Sequence, residues 1–261
     1  AIAGGIVLAG QLGIIGSATS PDSSTQSSSQ STDKADGGHS SNGSGTDNAN
    51  GTGGVGGTDG ADGNGQDTVT DNPLKIVESG WSADQQGYVH YAFALRNTSK
   101  TQQVQYPQIT ITGRAKDGSI VFSQTQTLNM AFPNQTVYDA DQAGEGTAPA
   151  TVDFVVLSPD TYNVTEAQGT ATFPISGTSK IDNRDGGTTF NGEVHAVADG
   201  FKPSDGQQIK ISLVLRNAQN AIIYGDIAFV DWPGNGRSAP FSITVYDLPK
   251  YSSYDLYAQI W

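Results

Sequence analysis

Few side chains in this sequence are of types that carry chemistry, and those few stand apart from one another. His90 and His195 are the histidines that lie among aromatic and β-branched residues. Glu193-Val194-His195 puts a carboxylate and an imidazole two positions apart, hence on one face of a strand, a spacing suited to a metal or to proton transfer. A metal site needs three or four converging ligands, and no HExxH pattern, calcium-loop pattern or Cys/His cluster accompanies the pair. It reads as two surface groups. Asp59, Asp62 and Asp67 offer hard oxygens within GTDGADGNGQD, but the alternate spacing and closing Glu of an EF-hand loop are missing, so this stretch reads as solvated tether. Serines abound without a Gly-x-Ser-x-Gly elbow or a Ser-x-x-Lys motif, and no Gly-rich loop opens onto a helix as phosphate binding requires. With no Cys, the sequence holds no disulfide, no thiolate zinc ligand and no cysteine nucleophile. No catalytic, cofactor-binding or metal residue is assigned.

A different chemistry, contact through aromatic rings, is available near the C-terminal end. YDLPKYSSYDLYAQIW presents Tyr246, Tyr251, Tyr254, Tyr257 and Trp261, large rigid side chains of the kind that line partner or glycan surfaces. These five form the candidate partner-contact surface. The competing reading is that they, with Trp81, Phe201 and Trp232, fill cores and corners, the ordinary work of aromatics in small sandwiches. A net charge of -13 argues against sequence-independent nucleic-acid binding, which needs a basic stripe to displace counterions from phosphates.

The elements that must position these groups begin late in the chain. All 3 Trp, 10 Tyr and 9 Phe follow residue 72. Residues 1–16, AIAGGIVLAGQLGIIG, are uncharged but shorter than the roughly 20 apolar residues of a spanning helix. They are read as the C-terminal part of a transmembrane or signal-anchor helix whose basic flank lies upstream, with a signal-peptide remnant as the alternative and a pilin-like packing helix ranked below both. Residues 17–72 are Ser, Gly, Asp, Thr, Asn and Gln with little apolar surface, and are expected to be a disordered linker. A coil of that length spans roughly 40 Å.

Beyond it, an ungapped offset aligns VESGWSADQQGYVHYAFALRN (77–97) with VADGFKPSDGQQIKISLVLRN (197–217), two copies of one pattern. Val89, Tyr91, Phe93 and Leu95 alternate as Ile209, Ile211, Leu213 and Leu215 do, which predicts a strand in each copy with one apolar face. The other face, His90, Ala92 and Ala94 or Lys210, Ser212 and Val214, is expected to be wet. Lys116-Asp117-Gly118-Ser119 predicts a hairpin between a strand in which Ile109 and Ile111 alternate with Thr110 and Thr112 and a second at 120–130, and Pro233-Gly234-Asn235-Gly236 is its expected counterpart in the second copy. Further strands are predicted at 152–157 and 243–248. The second copy lacks about one hairpin, so it is expected to pack on its neighbour for stability. No segment after Asp71 has a helical period. The fold class is all-β, two tandem immunoglobulin-like β-sandwich modules at 73–172 and 173–261, after the linker and the N-terminal apolar helix.

The string ALRNTSKTQQVQYPQITITGRAKDGSIV resembles the FxLYD-type and related small Ig-like β-sandwich domains of Gram-positive cell-envelope proteins. It has a strand ending in a hydrophobic-basic-Asn step at Leu95 to Asn97, a polar turn, and an alternating strand running into the Asp117-Gly118 turn. The likeness covers about one repeat and a half. It implies an extracellular protein held to the cell membrane by a single N-terminal helix, the lipid-anchored version needing a Cys that the sequence lacks. The expected function is binding of a protein or cell-wall glycan, or spacing, without catalysis. The alternative is a cell-envelope hydrolase that uses loop carboxylates, which would need two of them converging in a concave site at roughly 5 to 9.5 Å.

Overall fold

The computed structural model describes residues 72–261, which fall within one compact unit spanning Val69–Trp261. The apolar run, the Asp59/Asp62/Asp67 stretch and the linker lie outside the described residues, except for Asn72, whose Oδ1 accepts from the Leu74 N–H. Among the described residues no helix is long and apolar enough to cross a membrane.

The described residues are all-β. In the first half the strands are β1 (Leu74–Ala83), β2 (Val89–Asn97), β3 (Gln102–Gln105), β4 (Gln108–Arg114), β5 (Ile120–Thr127), β6 (Met130–Ala131), β7 (Thr136–Ala143), β8 (Thr151–Val156) and β9 (Val164–Glu166). In the second they are β10 (Thr170–Thr172), β11 (Ile175–Asp182), β12 (Thr188–Asp199), β13 (Gln208–Arg216), β14 (Ile222–Asp231), β15 (Arg237–Val245) and β16 (Ser253–Ile260). They make antiparallel sheets ordered β1-β2-β7, β6-β3-β9, β5-β4-β8, β14-β13-β16 and β10-β12-β11, with β15 also on β12.

Alternation decides which side chains meet. Val89, Tyr91, Phe93 and Leu95 of β2 pack with Ile109 and Ile111 of β4, Phe122 of β5 and half-buried Phe154 of β8, so β1-β2-β7 faces β5-β4-β8 across one core. Ile209, Ile211, Leu213 and Leu215 of β13 pack with Phe190 and Val194 of β12 and Phe241, Ile243 and Val245 of β15 across a second. The faces expected to be wet are not. Ala92 of β2, Ala140 of β7, Val214 of β13 and Ile222 of β14 form a third, smaller cluster, flanked by Tyr138, Ile227 and Tyr257. The central strands β2 and β13 are thus buried on both faces, and four sheets stack in the order β5-β4-β8, β1-β2-β7, β14-β13-β16, β11-β12-β15.

Small residues allow the two middle sheets to approach. A Cβ on Gly225 would lie 2.2 Å from the Tyr91 carbonyl oxygen, and one on Gly80 would lie 1.9 Å from that of Ile222. Gly80, matched to Gly200 in the sequence repeat, therefore serves backbone contact, whereas Gly200 serves a left-handed conformation with φ 72°.

The two copies also differ in connection. β1 pairs with β2 in one sheet, while the aligned end of β12 lies in the sheet opposite β13. After β2 the chain crosses through β3 to β4 in the facing sheet, whereas after β13 it reverses at Asn217–Ala221 and pairs back as β14. Asp117-Gly118 does close the β4–β5 hairpin: Asp117 Oδ1 accepts from the Ser119 N–H at 3.0 Å and Gly118 takes φ 84°. The Pro233 to Gly236 segment is not the matching hairpin. It carries the chain from β14 to β15 in another sheet, held where Asn235 exchanges hydrogen bonds with the Ala198 backbone at 2.8 and 3.0 Å.

Candidate functional site

The five aromatic residues singled out near the C-terminal end do not come together as one patch. Tyr246 is exposed and donates to Asp185 Oδ2 at 3.2 Å, its ring lying over Gly187. Tyr251 and Tyr254 line one depression with Lys180, Leu248 and Pro249, but both also pack against the second core, Tyr254 edge-on to Phe190 at 4.9 Å between ring centroids. Tyr257 stacks on Tyr138 at 3.7 Å, and Trp261 lies under the Lys210 ammonium at 4.5 Å, both between the middle sheets. His195 Nδ1 lies 3.1 Å from Ser238 Oγ, with Glu193 two residues away on the exposed face of β12. His90 lies 3.6 Å from Asp84 and stacks on Tyr224 at 4.6 Å. The two histidines are on different sheets, and among the described residues no group of three potential ligands could hold a metal ion.

The structure assembles a different concave site. Where β3 leaves for β4, where β5 passes to β6, and where β9 passes to β10, the connecting residues line a groove of about 600 Å³ together with the loop that follows β12. Its walls carry the amides Gln103, Gln105, Asn129, Gln168 and Gln207, with Phe201 and Tyr106 as the aromatic members and Lys202 as the one charged group. Phe201 is fixed edge-on to Phe132 at 5.5 Å. Glycine backbone completes the lining, since a Cβ on Gly169 would fall 2.2 Å from the Phe201 nitrogen.

Tyr106 is the unusual member. Its φ is 51°, in the left-handed region, and its side chain is 56% exposed. A bulky residue there carries a cost on the order of 1 to 3 kcal/mol, and the following Pro107 narrows its choices further. The conformation is imposed by two hydrogen bonds, Tyr106 N–H to the Asn129 carbonyl at 2.9 Å and Leu128 N–H to the Pro107 carbonyl at 2.9 Å. An exposed aromatic ring held in a disfavoured backbone state gains nothing for the core. Such positions cluster at binding sites.

Each of these amides supplies two donors and an acceptor from one planar group, a set that suits vicinal hydroxyls better than a formal charge. The sequence signal was TQQVQYPQ, four Gln and a Tyr within one short run. Strand alternation alone does not show that Gln168, Phe201 and Gln207, from distant parts of the chain, stand opposite it.

No family model matches the chain, and no curated protein matches it. Among solved structures it is similar to a complex of the Amycolatopsis orientalis exo-chitosanase with PNP-beta-D-glucosamine, at 12% identity over 72% of this chain and 26% of that one, with a TM-score of 0.22. A second structure of that exo-chitosanase gives 11% identity over 67% of this chain and 24% of that one, with a TM-score of 0.19. The chain spans about a quarter of the length of either, and at these scores the likeness is not a fold assignment.

Proposed function

We propose that residues 73–261 are the non-catalytic binding head of a membrane-tethered extracellular surface protein, built from two immunoglobulin-like modules, and that the groove beside Tyr106 holds a neutral cell-wall glycan. The strained, exposed Tyr106 at the edge of an amide-lined groove carries this reading. A ring face accepts the C–H side of a sugar, and the Gln and Asn amides address its hydroxyls. Absence of Asp and Glu from the lining favours binding over the hydrolase alternative, which needs two converging carboxylates. The apolar run at 1–16 would supply the anchor, the linker would lift the head off the membrane, and the folded part would lie outside the cell.

The test is retention of the purified chain on insoluble Gram-positive cell wall and on defined neutral oligosaccharides. Wild type is expected to bind, and Tyr106→Ala or Gln103→Ala to weaken binding about tenfold, the effect of losing one well-placed contact. No retention of the wild type on any glycan would overturn the reading and leave the spacer function.

A further inference from the structure

Between the two middle sheets lies a buried amine and carboxyl that the groove does not use. Lys210, on β13 between Ile209 and Ile211, is fully buried, and its Nζ is 2.9 Å from Oδ1 of Asp139 on β7 and 3.2 Å from Oδ2 of Asp141. Asp139 is also fully buried. Its Oδ1 accepts from the Gln259 amide at 2.5 Å, while its Oδ2 has no hydrogen-bond partner among the described residues. The Trp261 ring covers the amine at 4.5 Å, and the Tyr91 hydroxyl and Ser212 Oγ are likewise buried without partners.

This is a poor setting for an ion pair. A buried carboxylate needs its lone pairs satisfied, and half of this one is not. Burial raises the Asp139 carboxyl above its ordinary range against the opposing pull of Lys210, which favours the neutral acid. An amine 2.9 Å from a carboxyl group, both fully buried and held in contact by packed sheets, brings a nucleophile and an electrophile together at high effective concentration. A third group, the partly exposed Asp141, is within reach to move the protons.

We propose that Lys210 and Asp139 condense to an intramolecular amide that joins β13 to β7 across the seam between the middle sheets. The Nζ lone pair attacks the Asp139 carboxyl carbon, forming the C–N bond. The Asp141 carboxylate takes a proton from the attacking nitrogen and returns it to the departing hydroxyl. The C–O bond breaks and one water leaves, so the reaction needs no oxidant, reductant or outside co-reactant. The product is a neutral amide whose N–H lies beside Asp141.

Intact-mass spectrometry of the denatured 261-residue chain reads this directly. The expected mass is lower than the sequence mass by one water. Trypsin is expected to leave Lys210 uncut, so that peptide 117–180 stays joined to peptide 185–216. Lys210→Arg keeps the positive charge but cannot form the bond, and is expected to show the full mass. Full mass for the wild type after prolonged incubation at neutral pH would overturn the proposal. So would a water deficit with the two peptides separate, the pattern of a cyclised Asp117-Gly118 step, and so would the same joined peptides in Lys210→Arg.

Discussion

β2 and β13 carry the same alternation and end in the same Arg-Asn pair, yet the matching residues do different work. Arg96 donates to Thr136 Oγ1 at 3.2 Å at a half-buried edge of its sheet, while Arg216 is buried, with its guanidinium 2.8 Å from Glu78 Oε2 and 2.7 Å from Asp255 Oδ2. Asn97 is fully buried and its amide donates to the carbonyls of Gln102, Ala131 and Phe132, bracing a crossing between sheets. Asn217 instead accepts from the N–H groups of Gln219 and Ala221 and closes a hairpin within one sheet. Period-two alternation sets which side chains enter a core, but the route taken after the strand sets which sheet the next strand joins.

The two strands also differ in what their second faces bring to the seam. β2 supplies His90, Ala92 and Ala94, whereas β13 supplies Lys210, Ser212 and Val214, with Lys210 reaching Asp139 and Asp141 of β7. The largest effects are expected where the strands are alike. Phe93→Ala and Leu213→Ala are each expected to lose about 3 to 5 kcal/mol in denaturant unfolding, because each empties a fully buried core position. A small loss at either would mean that its alternating face is not core.

The next largest effect separates the arginines. Arg216→Ala strands Glu78 and Asp255 at the seam and is expected to cost about 2 to 4 kcal/mol, less than for a wholly interior pair because both carboxylates are partly exposed. Arg96→Ala is expected to cost less than about 1 kcal/mol. Equal losses, measured as shifts in urea midpoint, would erase the distinction between the two copies. Gly225→Ala is expected to cost about 1 to 3 kcal/mol by forcing the middle sheets apart, while alanine at Ser123 on the exposed face of β5 should be near neutral.

The finest test is titration. The hydrogen bonds from Arg216 hold the Glu78 carboxyl below its ordinary range. A carboxyl depressed in the folded state contributes stability that is present above its unfolded value and is lost as pH falls through the folded value. Urea midpoints of the wild type should therefore drop on acidification below the ordinary glutamate range, and Arg216→Ala should flatten part of that drop. An unchanged slope in the variant would remove Glu78 from the seam's energetics.

Much of the strand pattern was legible in the sequence for physical reasons. The apolar faces of 89–95 and 209–215 follow from period two, and the Asp117-Gly118 hairpin follows from local turn chemistry. The seam was hidden because Lys210 and His90 read as solvent-facing, and because its complementarity joins residues far apart in sequence, as in Lys210 with Asp139. Ala92 and Ala94 were the signal that could have revealed it, since a wet strand face seldom carries two alanines and no charge. The PGNG segment was misplaced because a Gly-rich break fits a hairpin and a crossover equally well. In the candidate groove, Tyr106 and the Gln103 to Gln105 run were visible as composition, but the strain at Tyr106 arises from its own N–H bond to the Asn129 carbonyl and the Leu128 N–H bond to the Pro107 carbonyl, which only the fold brings near.

With the middle sheets fused by a buried seam, the four layers are expected to unfold as one body. Scanning calorimetry tests this most directly. A single thermal transition, with calorimetric and van't Hoff enthalpies equal, is the predicted result. Two resolved transitions, one for each pair of facing sheets, would contradict it.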